Sequence, residues 1–447
     1  MIADPVTAEL TTALLHGSLE DPALASMNLL NEIADRFPDA VSFAPGRPSE
    51  EFFEVSDLHR YLDAFCRHLE RDRGYSPAQV RGALYQYGRT KGIVHELIAR
   101  NLALDEGIDA DPESIVVTVG CQEAMFLVLR ALRSDERDVL LAVSPTYVGL
   151  SGAARLVDLP VLPVSDGASG LDCDDLVRRI RAARREGLRP RACYVMPDFA
   201  NPSGLSLDPA TRRRLLEIAE QEDILLLEDN PYGLFSAGDR PPVPTLKALD
   251  GARRVVYLGS FAKTALPGAR VGYVVADQRV RNAAGEVGSL ADQLSKIKSM
   301  VTVNTSPIAQ AVIGGHLLEH ACSLVAANAP GREVYTRNLR RTLDGLARRF
   351  PDSGPTAGQV TWNAPGGGFF VVLTVPFAVD DLLLERSARE FGVLWTPMHH
   401  FYTGGGTRQI RLSVSLVTEQ QIDVGLDRLA ALVDDRLGLP QPSKGVQ

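Results

Sequence analysis

A lysine that follows an apolar stretch is the residue whose type and surroundings most clearly suggest chemistry. Six of the 47 basic residues are lysines, and Lys263 is one of them. It comes after the apolar run 255–258, with Ser260 three residues before it and Arg270 seven residues after it. A hydroxyl and a guanidinium can bind a phosphate while the amine between them reacts with an aldehyde. The spacing therefore favours a pyridoxal phosphate site, although a lysine taken alone is more often a surface residue.

Polar and aromatic side chains follow four other apolar runs, at the points where buried strands would end. In an open parallel sheet, ligands bind beyond the carboxyl ends of the strands, so these side chains are expected to converge. The candidates are Gly120, Cys121 and Gln122 after run 115–118, Tyr147 after 139–143, Asn201 after 192–196, and Asp229 and Tyr232 after 224–227.

Each of these residue types is suited to binding a flat, phosphorylated ring. Backbone N–H groups at the helix start after Gly120 can bind an anion, and Tyr147 can stack on the ring. A carboxylate at the end of a buried strand needs a partner, which a protonated pyridine nitrogen would give Asp229. Considered one at a time, these residues also fit purely structural roles: Gly120 and Asn201 in turns, and Tyr147 in the core. The whole set favours a cofactor site.

The elements that must position these residues alternate between strands and helices. Short, nearly continuous apolar runs are typical of strands that are buried on both faces. Amphipathic segments such as 176–184 and 211–220 are suited to crossover helices. The pattern predicts an α/β fold whose large cofactor-binding domain, residues 56–335, has a mostly parallel sheet with helices on both faces.

Beyond the large domain the pattern changes to that of a smaller α+β domain over residues 336–436. Its candidate elements are a helix at 337–348, strands near 361–362, 369–373 and 410–414, and a last helix at 419–432. Residues 1–55 are predicted to form an N-terminal arm and part of the small domain. The proline-containing segment 437–447 is predicted to be a flexible tail.

Composition narrows the class of protein further. The net charge of −9, without a stripe of clustered basic residues, argues against nucleic-acid binding. Five scattered cysteines without metal-type spacing fit a reduced, cytoplasmic compartment, and no metal site is predicted. No stretch approaches the length needed to span a bilayer, so no membrane partner is expected.

The order of the motifs adds a resemblance to a known family. Asn201-Pro202-Ser203-Gly204, Asp229-x-x-Tyr232, Ser260-x-x-Lys263 and Arg270 resemble the motifs of fold type I pyridoxal-phosphate aminotransferases of class I/II. The resemblance runs from about Ser42 to Leu432. It implies transamination between an amino acid and a 2-oxo acid, with pyridoxal 5'-phosphate as the cofactor.

The resemblance also implies a role for each matching residue. Lys263 would form the Schiff base with the cofactor and move a proton, and Asp229 would pair with the pyridine nitrogen. The remaining implied cofactor contacts are Asn201 and Tyr232 to the ring's phenolate oxygen, Tyr147 stacked on the ring, and Cys121, Gln122, Ser260 and Arg270 on the phosphate after the Gly120 turn.

Two segments outside the large domain resemble the family as well. Tyr85-Gln86-Tyr87-Gly88 resembles the segment whose tyrosine reaches the phosphate of the neighbouring subunit, which implies a homodimer with shared active sites. Arg411 resembles the arginine that binds the substrate α-carboxylate, for which a bidentate fork is suited. Without the other motifs, Arg411 would be interpreted as a strand-edge surface residue. Asn201 and Gly46 are predicted to contact the substrate beside it.

The predicted side-chain pocket departs from the subgroup that the chain resembles most, the aminoadipate and kynurenine aminotransferases. Asn28 stands where that subgroup often has an arginine for an acidic substrate, and Arg47 replaces a small or apolar residue. His399 lies in a segment that is glycine-rich in the subgroup. Histidines and aromatics suit a flat side chain with hydroxyl groups, as in arylglycine transaminases of antibiotic pathways. An orientation of His399 toward water is an equal interpretation.

Several alternatives remain open. A 2-aminoadipate or broad-specificity aminotransferase would share the cofactor residues, and so would a lyase, decarboxylase or oxidase on the same scaffold. A transcription regulator on this fold would need an additional DNA-binding domain, for which there is no room before Ser42. A binding protein without cofactor is disfavoured by the presence of both Lys263 and Asp229.

Overall fold

The computed structural model describes residues 7–167, 170–238 and 243–439, except for the side chains at 23, 25 and 27–31. The α-helices are α1 (Pro22–Arg36), α2 (Val55–Arg71), α3 (Pro77–Tyr85), α4 (His95–Glu106), α5 (Gly120–Leu132), α6 (Val148–Leu156), α7 (Cys173–Arg185), α8 (Pro209–Gln221), α9 (Leu246–Leu249), α10 (Leu290–Val301), α11 (Pro307–Glu319), α12 (Leu324–Ala327), α13 (Ala329–Arg349), α14 (Asp381–Arg386) and α15 (Glu419–Leu437). The strands are β1 (Val41–Ser42), β2 (Ile115–Thr118), β3 (Asp138–Ser144), β4 (Val161–Ser165), β5 (Arg189–Val195), β6 (Leu225–Asp229), β7 (Val255–Ser260), β8 (Gly272–Val275), β9 (Arg279–Arg281), β10 (Val287–Ser289), β11 (Thr361–Trp362), β12 (Phe370–Thr374), β13 (Val393–Leu394), β14 (Thr396–Pro397) and β15 (Gln409–Ser413).

A seven-stranded sheet forms the centre of the large part of the chain. Its strand order is β2-β8-β7-β6-β5-β3-β4. Five adjacent strands, β7, β6, β5, β3 and β4, run parallel to one another. Strand β8 runs antiparallel to both β2 and β7. The prediction of an α/β fold with a mostly parallel sheet is therefore confirmed.

Helices cover both faces of this sheet because successive side chains of each strand point in opposite directions. Leu140, Leu227 and Val256 lie in one apolar cluster with residues of α5, α6 and α10. The adjacent positions Leu141 and Leu226 lie in a second cluster with residues of α7 and α8. Burial on both faces explains why these strands are apolar at consecutive positions.

A second, four-stranded sheet lies in the C-terminal part of the chain, with order β11-β12-β15-β14 and antiparallel pairing throughout. Helices α13 and α15 contribute to its core together with the buried Trp395. The N-terminal segment also belongs to this core, because β1 pairs with β13 in parallel and Phe43 is fully buried there. The C-terminal helix continues to Leu437, five residues beyond the predicted end, and most of the predicted tail (440–447) lies outside the described residues.

An aromatic cluster joins the two sheets beside the carboxyl ends of β5, β6 and β7. It contains Tyr232 and Phe235, which follow β6, and Phe369 and Phe370 from the start of β12. The cluster holds the small sheet against the edge of the large one where the predicted site residues lie. Within the described ranges, no helix combines the length and apolarity that crossing a membrane requires.

Candidate active site

A cavity of about 260 Å³ opens where the small sheet meets the carboxyl edge of the large sheet. Its walls combine residues from five loops of the large sheet with residues of the N-terminal segment and β15. The predicted site residues that line it are Gly46, Arg47, Cys121, Gln122, Tyr147, Asn201, Asp229, Tyr232, Ser260, Lys263, Arg270 and Arg411.

Lys263 lies in the turn after β7, with its amine inside the cavity. Its Nζ donates a 2.8 Å hydrogen bond to the carbonyl oxygen of Gly46. Burial, followed by the positive charges of Arg270 and Arg411, lowers the pKa of Lys263 to about 8. A larger fraction of this amine is neutral near pH 8 than for an ordinary lysine, so it is better suited to attack an aldehyde.

Asp229 ends β6, lines the cavity and is almost completely buried. Burial raises the pKa of its carboxyl to about 6, against two hydrogen bonds that lower it. The hydroxyl of Tyr194 donates to Oδ2 at 2.6 Å, and the Cys121 thiol donates to Oδ1 at 3.6 Å. These donors favour the charged carboxylate, which is the form that can pair with a protonated ring nitrogen.

The N-terminus of α5 provides a cradle for an anion. The residue before the helix, Val119, makes no capping hydrogen bond with its side chain, so the first turn keeps N–H groups for a ligand. Gly120 has φ +73°, and a Cβ added there would lie 2.6 Å from Nη2 of Arg270. Glycine thus lets the guanidinium of Arg270 approach the helix start. This geometry fits a phosphate group.

Two further predicted residues, Tyr147 and Gln122, lie beside the start of α6. Tyr147 precedes α6 and lines the cavity. The side-chain amide of Gln122 donates to the carbonyl oxygen of Gly149 at 2.6 Å, which ties α5 to the start of α6. The backbone N–H of Gln122, in the first turn of α5, stays available to a ligand.

Tyr232 and Asn201 both line the cavity. Tyr232 is buried, and burial raises the pKa of its hydroxyl, while the positive charge of Arg411 partly opposes that rise. Gly204, in the same turn as Asn201, has φ +70°, and a Cβ there would lie 2.5 Å from the carbonyl oxygen of Phe370. The turn can therefore pack against β12 only with a glycine at this position.

Arg411, in the middle of β15, is buried and has no carboxylate partner among the described residues. Its Nη1 donates to Asn201 Oδ1 at 2.6 Å, and its Nη2 donates to the carbonyl oxygen of Ala44 at 3.0 Å and to Thr396 Oγ1 at 3.1 Å. Burial lowers the pKa of its guanidinium to about 10. A buried cation held only by neutral acceptors favours an anionic ligand.

Aromatic rings enclose this guanidinium. The Arg411 Cζ atom lies 4.5 Å from the ring centroid of Phe370 and 4.9 Å from that of Phe401. Phe401 also lines the cavity, and its carbonyl oxygen accepts a 2.9 Å hydrogen bond from the Thr146 N–H, next to Tyr147. The Arg411 guanidinium is thus flanked by one aromatic ring from β12 and one from the turn that ends with Phe401.

Among the predicted residues that the structure describes in full, three do not line the cavity: Tyr87, His399 and Gly120, which directly precedes the lining residue Cys121. Tyr87 is 85% exposed on the surface of the single chain. His399 is not among the lining residues; its Nε2 lies 3.7 Å from Asp381 Oδ1, so the structure gives its predicted substrate contact no support. The side chain of Asn28, on α1, lies outside the described residues.

The structure adds residues that the sequence did not identify. Tyr194 was counted as part of a buried strand, and its hydroxyl was the available signal, since a buried tyrosine hydroxyl needs a partner. Ala34 and Asp35, from the last turn of α1, and Phe401 line the cavity as well. Ala34 and Asp35 had no signal in the sequence, because only the tertiary fold brings them to the site, whereas Phe401 belongs to the segment around His399, whose aromatic residues are part of the predicted side-chain pocket.

Comparison with known proteins agrees with this arrangement. The model of the family described as aminotransferase class I and II matches residues 67–429. The chain belongs to the class I and II aminotransferases. It is 59% identical to the (S)-3,5-dihydroxyphenylglycine transaminase of Amycolatopsis orientalis over 437 residues, which cover 98% of this chain and 97% of that protein.

Other relatives of this aminotransferase are more distant. It is 29% identical to the 2-aminoadipate transaminase of Thermus thermophilus over 405 residues, 90% of this chain and 92% of that protein. The crystal structure of Pyrococcus horikoshii kynurenine aminotransferase superposes with a TM-score of 0.77 at 26% identity, and covers 96% of this chain and 97% of that one. The predicted resemblance to this family, and to its aminoadipate and kynurenine members, is confirmed.

The aminotransferase uses pyridoxal phosphate, and the residues on the cavity wall fit that cofactor. Gly120 leaves room for Arg270 at an uncapped helix start, where a phosphate carries the matching charge. Lys263 and Asp229 offer an amine for the aldehyde and a carboxylate for the ring nitrogen. When bound there, the cofactor supplies an electron sink for the bonds to the substrate α-carbon.

Proposed function

We propose that this aminotransferase transfers an amino group between an L-amino acid and an arylglyoxylate, so that an arylglycine carrying ring hydroxyls is a substrate or product. The observation that carries the proposal is the 59% identity, along almost the whole chain, to a (S)-3,5-dihydroxyphenylglycine transaminase. Production of a specialised amino acid for antibiotic biosynthesis is the proposed context. The geometry of the cavity supports the same substrate class.

The α-carboxylate of the substrate binds to Arg411 in this proposal. Its guanidinium is buried, lacks a carboxylate partner among the described residues, and lies between the rings of Phe370 and Phe401. In an arylglycine the ring is attached directly to the α-carbon, so it lies close to this carboxylate. The aromatic ring of Phe401, which lines the cavity, can pack against such a ring.

Ring hydroxyls would meet the polar mouth of the cavity. Asp35, at the end of α1, and Arg47 both line it. A carboxylate can accept a hydrogen bond from a phenolic hydroxyl, and a guanidinium can donate one. The proposal therefore gives Asp35 and Arg47 the role of distinguishing a hydroxylated ring from an unsubstituted one.

Proton movement is the part of the reaction that falls to Lys263. Its amine, with a pKa of about 8, can take a proton from the substrate α-carbon and return it to the carbon that came from the cofactor's aldehyde group. Asp229 stays charged through its hydrogen bonds from Tyr194 and Cys121 and keeps the ring nitrogen protonated. Asn201 and Tyr232 stabilise the negative charge on the ring oxygen, while Ser260 and Arg270 bind the phosphate.

A competition assay tests the substrate class. Equal amounts of (S)-3,5-dihydroxyphenylglycine, phenylglycine and 2-aminoadipate are offered with one 2-oxo acid acceptor, and the products are followed by mass spectrometry. The proposal predicts that dihydroxyphenylglycine is consumed first, and that Asp35→Asn narrows its advantage over phenylglycine. Preference for 2-aminoadipate would contradict the proposal, as would release of carbon dioxide or ammonia without amino transfer.

We also propose a homodimer in which Tyr87 completes the site of the partner subunit. Large apolar side chains are exposed at Tyr87 and within residues 300–308: Tyr87 is 85% exposed and Met300 84%, and Val303 and Ile308 are also exposed. Gly88 lies near Asn304, so the two segments form one surface. Exposed apolar patches of this kind indicate a protein interface.

Subunit mixing tests this arrangement. Tyr87→Ala and Lys263→Ala are each purified, then mixed under conditions that allow subunits to exchange. A hybrid dimer contains one site with both an intact Lys263 and an intact Tyr87 only if Tyr87 reaches across the interface. Recovery of activity on mixing supports the proposal; equal inactivity of the mixture and its components, with hybrids shown to form, contradicts it.

Cytoplasmic localisation stays part of the proposal. All five cysteines are free thiols, and two of them, Cys193 and Cys322, are buried. Free thiols are what a reducing compartment maintains. Fractionation of the producing cells, with detection of the protein by antibody, tests this point.

A further inference from the structure

Two histidines and an aspartate outside the cavity place three metal-binding atoms close together. One nitrogen each of His399 and His400 and a carboxylate oxygen of Asp381 all lie within 4.8 Å of one another. The His400 Nε2 atom is 2.8 Å from Asp381 Oδ1, and His399 Nε2 is 3.7 Å from the same oxygen. The two imidazole rings are 4.1 Å apart between centroids. The separations of 2.8 and 3.7 Å from the Asp381 oxygen lie within the span of about 4 Å that two ligands of one Zn²⁺ ion can have, since each ligand lies about 2 Å from the ion.

The hydrogen bonds of His400 show which of its nitrogens carries a proton. The hydroxyl of Ser26 has one hydrogen, and its Oγ lies 2.8 Å from the carbonyl oxygen of Pro22, which can only accept. Ser26 Oγ must therefore accept the 2.7 Å hydrogen bond from His400 Nδ1. In the neutral ring this leaves the lone pair of Nε2 facing a carboxylate oxygen of Asp381.

The lone pair of His400 Nε2 and the carboxylate oxygen of Asp381 are both acceptors and lie 2.8 Å apart. They repel each other unless a proton or a metal ion lies between or beside them. A second proton on His400 is one solution, because it would make an ion pair between His400 and Asp381. A metal ion is the other solution, and it would also use His399, whose ring makes no hydrogen bond to any described residue. Second-shell bonds such as that from His400 to Ser26 are typical of metal-binding histidines, because they fix the tautomer.

We propose that Asp381, His399 and His400 bind a divalent transition metal ion of the zinc type. Three protein ligands of this kind leave one coordination position for water. All three residues are partly accessible, so an ion can reach them. The proposal is independent of the substrate class argued above.

The proposed metal site lies between α1 and the turn that ends with Phe401, two segments that border the cavity. Ser26 lies on α1, whose last turn brings Ala34 and Asp35 to the cavity, and His399 and His400 lie in the short turn that ends with Phe401. A metal ion fixing His400 would therefore connect α1 to the segment that packs on Arg411. Metal binding is expected to restrain the helix that covers the cavity.

Equilibrium dialysis of tag-free holoenzyme against Zn²⁺, with metal content measured by mass spectrometry, tests the site. We expect one tightly bound Zn²⁺ per chain in the wild type, and at least about tenfold weaker binding in His399→Ala and in Ser26→Ala. Zn²⁺ should also slow proteolytic cleavage within α1 in the wild type and leave its rate unchanged in His399→Ala. Circular dichroism establishes that each variant is folded.

A matched control is available at His68, which pairs with Asp72 at 2.7 Å without a second histidine. His68→Ala should bind Zn²⁺ as tightly as the wild type. Equal Zn²⁺ binding by the wild type and His399→Ala would overturn the proposal, and so would the absence of binding by both. Either of these results would leave the proposed transamination unaffected, because activity is measured separately by the competition assay.

Discussion

Arg411 Nη1 donates a 2.6 Å hydrogen bond to the side-chain oxygen of Asn201, and this bond links the small sheet to the large one inside the cavity. Asn201 and Tyr232 both line the cavity, so the residue that is to bind the substrate carboxylate contacts one of the two residues that are to bind the cofactor oxygen. Correct positioning of the substrate therefore depends on contacts made by both sheets.

Replacement of Arg411 tests its role in binding the carboxylate. Arg411→Gln should lower kcat/KM for amino acid substrates by about 100-fold, since a hydrogen-bonded ion pair in a buried site contributes roughly 3 kcal/mol. Arg408→Gln, an exposed arginine preceding the same strand, serves as the control and should leave kcat/KM unchanged. A slow reaction of the corresponding amine without a carboxylate should be insensitive to Arg411→Gln; an equal loss with this amine would contradict the assigned role.

Replacement of Tyr194 tests the support of Asp229. Tyr194→Phe removes a 2.6 Å donor that lowers the pKa of the carboxyl, so that pKa rises further above its ordinary value. Only the charged carboxylate can pair with a protonated ring nitrogen, so activity falls as Asp229 becomes protonated. The acid limb of the pH profile of kcat/KM should therefore move up by about one pH unit. The loss of activity should thus be greater at pH 6 than at pH 8.

The control for this prediction is Tyr257→Phe, which removes a 2.6 Å bond to Glu106 in the same sheet without touching Asp229. Its pH profile should keep the wild-type acid limb. An unchanged profile in Tyr194→Phe would show that Tyr194 does not tune Asp229.

Most strands of the large sheet, and the edge at which the site lies, could be predicted from the sequence. Consecutive apolar positions in β2, β3, β5, β6 and β7 reveal strands buried on both faces, and the polar residues that follow them mark the sheet edge. Edge strand β4 was not predicted, because Pro163 interrupts it and only Val164 is buried. The contacts of Arg411 with Ala44 and Thr396 also could not be predicted, since they join segments more than 300 residues apart or on different strands.

A glycine substitution tests the phosphate cradle. Gly120→Ala puts a Cβ 2.6 Å from Arg270 Nη2 at a φ of +73°, so the guanidinium has to move away from the start of α5. The affinity for pyridoxal phosphate, measured by titration of the apoenzyme, should fall at least about tenfold. Gly268→Ala, where an added Cβ meets no atom within 4 Å, should bind the cofactor normally. Equal affinities of the two variants would contradict the cradle.

The lowered pKa of Lys263 predicts how cofactor uptake depends on pH. Only the neutral amine attacks the aldehyde, so with a pKa of about 8 the rate of uptake by the apoenzyme should rise roughly tenfold from pH 6 to pH 7. Above about pH 9 the rate should level off, because most of the amine is then neutral. Stopped-flow absorbance measures this rate, and the reaction of Nα-acetyl-lysine under identical conditions provides the reference. A rate that rises to pH 10 in parallel with the reference would show that the amine is unperturbed.

We propose that Lys263 is the amine on which the cofactor and the reaction depend. Borohydride reduction of the holoenzyme, followed by proteolysis and mass spectrometry of the peptides, tests this role. We expect the cofactor to be attached to the peptide containing Lys263, and Lys263→Ala to yield no adduct. Attachment to another lysine, such as the buried Lys247 or Lys298, or an adduct that survives in Lys263→Ala, would contradict it.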